Sequence, residues 1–219
     1  VILGIESIGD ADLSPDARER SDRSGVSVGG PWSGRGRTYV LSAAPSMHCV
    51  FLRLEFKAFM KLLIAAIGRM KAGPERELAE RYLDRLAKAG PAMGLEWQGL
   101  VEFPESRAAS VDERMREEAG RLTGAVPAGA KTIILDERGE MLSSVAFAER
   151  IGRWRDDGAK ACALVLGGPD GHEADMRQSA DCVLSLGRMT FPHQIARILL
   201  AEQLYRAVTI MAGHPYHRE

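Results

Sequence analysis

From Lys61 onward, short unbroken apolar runs alternate with longer stretches whose apolar residues recur at helical spacing. Lys61–Ile67 (KLLIAAI) predicts a buried strand. Gly73–Lys88 follows with Leu78, Tyr82, Leu83 and Leu86 on one face and a proline in its first turn, which predicts an amphipathic helix. Leu95–Phe103 predicts a second strand, and Ser110–Leu122 a charged helix opened by Ser110 and Glu113 at capping-box spacing. Lys131–Leu135 (KTIIL) predicts a third strand, closed by Asp136 and a turn at Glu137-Arg138-Gly139. A helix from Ser144 to about Asp157 then leads to the fourth strand at Ala161–Leu166. Strands this apolar cannot face water, so the repeated strand-then-helix order predicts an α/β fold, a parallel sheet with helices on both faces.

The last third carries the candidate chemistry. The fourth strand runs into Gly167-Gly168-Pro169-Asp170-Gly171, and a fifth, Cys182–Leu186, ends in Gly187. Two strands finishing in glycine are what a small-molecule site at the carboxyl edge of an open sheet needs, because the backbone can come close to a ligand there. The helix from Pro192 to Met211 has apolar residues on more than one face of its wheel, and this surplus predicts a second partner surface, most simply the same helix of another subunit in a two-fold dimer. Arg197, Glu202 and Arg206 are its polar remainder.

Residues 1–59 read differently. Their Gly/Ser-rich passage (SGVSVGGPWSGRGR) has neither helical nor alternating period, so they are expected to be an irregular N-terminal extension, disordered or not native, with Met60 as the natural start of the domain at 60–219. In the whole chain, 29 Lys+Arg against 30 Asp+Glu give a net charge of -1, which leaves any nucleic-acid contact to local patches. Three cysteines without CxxC spacing, two of them in apolar strands, read as reduced core thiols of a cytoplasmic protein. The apolar run after Met60 is too short to span a bilayer, so no membrane association is expected.

LDERGEMLSS (135–144), LGGPDG (166–171), LSLGRMTFPHQIARILLAEQLYRA (184–207) and the terminal HPYHRE (214–219) occur in this order. Together they resemble the ribosomal RNA large subunit methyltransferase H family, small members of the SPOUT superfamily, from Met60 to the last residue. The resemblance implies a C-terminal trefoil knot, an obligate homodimer, and S-adenosylmethionine as cofactor. It also implies methylation of N3 of a pseudouridine in large-subunit rRNA, on the assembled ribosome rather than on naked RNA. The family's cofactor positions fall on Leu135, Gly167, Leu186, Gly187, Arg188, Met189, Thr190 and Phe191. Taken alone, Gly167 and Gly168 are also explained by a plain turn, and Leu135, Met189 and Phe191 by ordinary core.

A sulfonium methyl is strongly electrophilic, so such a reaction chiefly needs in-line orientation and help in removing the N3 proton. The candidates are in the tail: Tyr216 to stack on or hydrogen-bond the base, His217 as proton acceptor, and Arg218 to hold a carbonyl or phosphate. Arg188, Arg197 and Arg206 are candidate RNA contacts. His193 reads as a capping or intersubunit residue, and His172 as the start of the next helix. His214 and His217 form an HxxH pair with no third ligand nearby, so no metal is expected. Another RNA target within the same superfamily, or a non-catalytic ribosome-binding dimer, remain as alternative readings.

Overall fold

The computed structural model describes residues 59–216. Nearly all of the expected N-terminal extension lies outside the described residues, as do His217 and Arg218. The strands are β1 (Met60–Ile67), β2 (Leu95–Phe103), β3 (Lys131–Met141), β4 (Ala161–Leu166) and β5 (Cys182–Ser185). The helices are α1 (Pro74–Ala89), α2 (Val111–Ala125), α3 (Ser144–Asp156), α4 (Ala174–Ser179) and α5 (His193–Met211). All strand pairs are parallel and their order is β2-β1-β4-β3-β5.

The central strands are unbroken apolar runs because both faces are covered. Leu62, Ile64 and Ala66 of β1, with Cys162 and Leu164 of β4, join Leu83 and Leu86 of α1, Ile151 of α3 and Leu200 and Leu204 of α5 in the larger core. Their neighbours Leu63, Ala65 and Ile67, with Ala163 and Val165, meet Leu122 of α2 on the opposite face. The two-residue alternation of a strand thus feeds two cores at once. Cys162 and Cys182 are buried free thiols, and burial pushes the Cys162 pKa well above the usual range. Ser110 caps α2 as its spacing predicts, its hydroxyl accepting from Glu113 N at 3.2 Å.

Three expectations are corrected. First, β3 does not end at Leu135. Pairing with β5 lapses at Asp136–Gly139 and resumes with Glu140 beside Leu184 and Met141 beside Ser185, so the expected turn is an irregularity within a longer strand. Second, the apolar surplus of α5 is smaller than expected, because most of it is covered within the chain. It is flanked by α1 and α3, and Leu200, Ala201, Leu204, Ala207 and Val208 are buried, which leaves Ile195, 38% exposed, with half-buried Ile198 and Leu199 as its outward apolar residues. Third, Arg197 is not a surface cation. It is 4% exposed, and its guanidinium donates to Gly68 O at 2.7 Å, to Ile67 O, and to Glu102 Oε1 at 2.6 Å. Arg197 therefore ties the first turn of α5 to the ends of β1 and β2, where burial lowers its pKa despite Glu102.

Among the described residues, no helix is long and apolar enough to cross a membrane, and no group of three His, Cys, Asp or Glu side chains is placed to hold a metal ion.

Candidate functional site

The carboxyl ends of β4 and β5 lie beside the irregularity of β3 after Leu135, and this irregular segment and the loops that leave β4 and β5 enclose a cavity of about 290 Å³. Leu135, Gly167, Leu186, Gly187, Met189, Thr190 and Phe191 all line it. These segments are separated by up to 56 positions in the chain and converge because β3 pairs with both β4 and β5. Arg188, between two lining residues, is exposed and does not line the cavity. Met189 is 76% exposed at the rim. Gly187 adopts φ +144°, open to glycine alone without strain, with the Phe191 ring 3.9 Å from where a Cβ would stand. Its N–H meets Ser185 Oγ at 3.3 Å, and that hydroxyl lies 3.0 Å from Gly187 O, which folds the chain back at the end of β5.

His172 joins two strand ends from within the wall. Its Nε2 accepts from Gly167 N at 2.9 Å and stands 3.1 Å from Leu135 O, while Nδ1 is buried with no partner among the described residues. Desolvation pushes its pKa down to about 4, against the opposing effect of Asp136, so the ring is neutral at physiological pH. Arg177 donates to His172 O and stands 3.7 Å from Asp136 at the end of β3's first half. Behind the glycine loop, α2 contributes Arg114, which donates to both carboxylate oxygens of Asp170 at 2.6 and 3.2 Å and holds that acid below its ordinary pKa.

His172 therefore does not begin the next helix, which starts at Ala174 after the cap Glu173, but sits in the cavity wall, and His193 lines the cavity mouth together with Glu137 and Arg138. Local pattern gives no sign of this, because the partners of His172 lie on β3 and β4 and its spacing resembles an ordinary helix start.

Tyr216 is not at the cavity of its own chain. Its ring packs edge-on against Tyr205 with centroids 4.9 Å apart, Arg206 lies 5.1 Å over it, and its hydroxyl donates to Glu202 Oε1 at 3.2 Å. Burial, together with the neighbouring Glu202 carboxylate, raises the phenol pKa to about 12. Arg206 is itself paired with Glu202 at 2.5 Å, so of the three candidate RNA arginines only Arg188 is an exposed cation. The cavity is at the first turn of α5 and Tyr216 at its far half, a separation of more than about 10 Å along the axis at 1.5 Å per residue.

Apolar side chains (Leu135, Leu166, Leu186, Phe191), glycine main chain and charged groups (Asp136, Glu137, Arg138, Arg177) together line the cavity, a mixture suited to a small molecule with both apolar and charged parts. A Cβ on Gly167 would stand 3.0 Å from Gly171 O and His172 Nε2, which makes that glycine part of the wall's shape.

The family model described as "Predicted SPOUT methyltransferase" matches residues 60–217. The protein of Brucella anthropi named Ribosomal RNA large subunit methyltransferase H is 60% identical over 159 residues, a match covering 73% of this chain and 99% of that one. The protein of the same name from Brucella abortus (strain S19) is 56% identical over 168 residues, again covering 73% and 99%. Its namesake from Mesorhizobium japonicum is 55% identical over 159 residues with the same coverage.

Proposed function

The chain belongs to the SPOUT methyltransferase family, and from that premise we propose that its domain at residues 60–219 transfers a methyl group from S-adenosylmethionine to large-subunit ribosomal RNA. The acceptor in this reading is N3 of a pseudouridine, presented by the assembled ribosome in the cytoplasm. The observation that carries it is the convergence of every expected cofactor position except Arg188 on one cavity, between the irregularity of β3 and the carboxyl ends of β4 and β5.

The residues present suit that cofactor. Leu135, Leu166, Leu186 and Phe191 would shield an adenosyl group from water, and the Gly167 backbone would let it approach closely. When bound, S-adenosylmethionine supplies an electrophilic methyl group. The chain's part is to hold the donor and the acceptor nitrogen in line and to accommodate the proton that leaves N3.

His217 is assigned to take that proton, Arg218 to stabilise a flanking carbonyl, and Tyr216 to seat the base. Because Tyr216 packs on the far half of α5, these residues act in the cavity of a second protomer. The proposal therefore includes a homodimer whose α5 helices run antiparallel across the outward residues Ile195, Ile198 and Leu199, and the family's knotted C-terminal threading.

The deciding experiment is transfer of tritiated methyl to ribosomes from cells that lack the modification, followed by mapping of the labelled nucleotide. The expected result is one labelled pseudouridine in the large-subunit rRNA. Absence of label with folded protein that binds S-adenosylhomocysteine overturns the proposal, and label at another nucleotide overturns the assigned acceptor. Deletion of residues 214–219 is expected to leave S-adenosylhomocysteine affinity within about threefold while reducing methyl transfer by at least about 10²-fold, the scale of a lost acid–base group. Normal turnover by the truncated protein would remove the tail from the mechanism.

A further inference from the structure

Glu118 is a buried acid on α2, 3% exposed, with no part in the wall of the cavity. Its Oε1 accepts from Ser106 N at 2.8 Å, in the loop between β2 and α2. Its Oε2 has no hydrogen-bond partner among the described residues. That oxygen faces Gly168 so closely that a Cβ on the glycine would lie 2.4 Å from it. A carboxylate held out of water with one oxygen unbonded is a costly thing to place behind a loop, so an ordinary packing residue would be the more stable choice there. The same helix grips the same loop one turn earlier through Arg114 and Asp170.

We propose that Glu118 is the positioning residue of the glycine loop. Its carboxylate presses on the Gly168 main chain from behind and couples the loop at residues 167–171 to Ser106, and this contact sets the shape that the loop presents to the ligand. Gly168 is a glycine because the carboxylate occupies the space of a side chain. The inference rests on the proposed cofactor site but makes a claim of its own, that affinity for the donor is set partly by a side chain that never touches it.

A double-mutant cycle tests this by two readouts. Isothermal calorimetry with S-adenosylhomocysteine is expected to show Glu118→Ala and Gly168→Ala each weakening binding by about tenfold. The double variant is expected to bind no more weakly than Gly168→Ala alone, because removing the carboxylate makes room for the new methyl; losses that simply multiply overturn the proposal. Glu118→Gln keeps the length and the acceptor for Ser106, and is expected to restore affinity to within about threefold of the wild type. In methyl transfer, Glu118→Ala is expected to raise KM for the donor with kcat nearly unchanged; a fall in kcat at constant KM counts against positioning. If Glu118→Ala does not fold, Glu118→Asp, which withdraws the carboxylate by one methylene, takes its place in the cycle with the same signs expected.

The second readout needs no ligand. Amide hydrogen exchange at Gly168 and Gly171 is expected to accelerate at least about tenfold in Glu118→Ala and to return to wild-type rates in Glu118→Gln. Unchanged exchange overturns the proposal. Wild-type protein that fails to bind S-adenosylhomocysteine defeats the assigned cofactor instead, and the exchange result still decides the role of Glu118.

Discussion

Arg197 and Glu102, 95 residues apart in the chain, are joined by a 2.6 Å ion pair at the ends of β1 and β2. Glu102 Oε1 also accepts from Met70 N at 3.0 Å, and Arg197 donates to the carbonyls of Ile67 and Gly68 at the end of β1. One guanidinium therefore serves three acceptors on two elements while anchoring the helix turn that borders the cavity.

Removing that guanidinium takes the Arg197 donor from two carbonyls and leaves Glu102 with Met70 N and no cationic partner on α5. Arg197→Ala is expected to lower stability by about 3–5 kcal/mol, the range for breaking one side of a buried pair, as measured by urea unfolding midpoints. Arg197→Lys is expected to recover less than half of the loss, because an ammonium cannot reproduce the planar fork. A loss below about 1 kcal/mol for Arg197→Ala would mean that the pair contributes no more than a surface contact.

His172 makes stability depend on pH in a defined direction. Its folded pKa of about 4 lies below an unfolded value near 6.5, so the unfolded chain binds the extra proton. The neutral ring's contribution is complete above about pH 6.5 and is lost as the pH falls towards 4, by about 3 kcal/mol over that window. His172→Gln is expected to flatten the difference in unfolding free energy between pH 7 and pH 4 relative to the wild type. Parallel pH profiles for the two proteins would show that the ring is not buried neutral.

Gly139 lies where β3 rejoins β5, and a Cβ there would stand 2.6 Å from the main chain of Val183 and Leu184. The main chain of β5 cannot give way there as a flexible side chain can. Gly139→Ala is therefore expected to destabilise the protein by about 3 kcal/mol, at the upper end of overpacking, and to weaken S-adenosylhomocysteine binding, because the displaced segments include the walls around Leu135 and Leu186. Wild-type melting temperature and affinity in this variant would show that the β3–β5 junction has slack.

Arg138 lines the mouth of the cavity and Arg188 stands beside it, both exposed. Arg138→Ala and Arg188→Ala are each expected to weaken binding to ribosomal RNA uniformly and to lower the slope of log affinity against log salt by about 1, the mark of one lost phosphate contact. S-adenosylhomocysteine affinity is expected to stay within about threefold. An unchanged salt slope would place the RNA elsewhere on the surface.

Much of this architecture could be read from local pattern. KLLIAAI and ACALVL admit only strands buried on both faces, Ser110 with Glu113 marks the start of α2, and the glycines after β4 and β5 mark the edge where a ligand can approach. Period, capping and glycine placement are decided within a few residues, so they survive in the linear sequence. Tertiary structure alone decided that Arg197 is sealed against Glu102 rather than offered to RNA, that Glu118 stands behind Gly168, that His172 bridges Gly167 and Leu135, and that Tyr216 packs on α5. Except for the last, where the tail turns back on its own helix, these contacts depend on the strand order β2-β1-β4-β3-β5 and its helical crossovers. A charged residue with helical spacing looks the same in sequence whether its face meets water or the end of another strand, and only the packed fold separates the two.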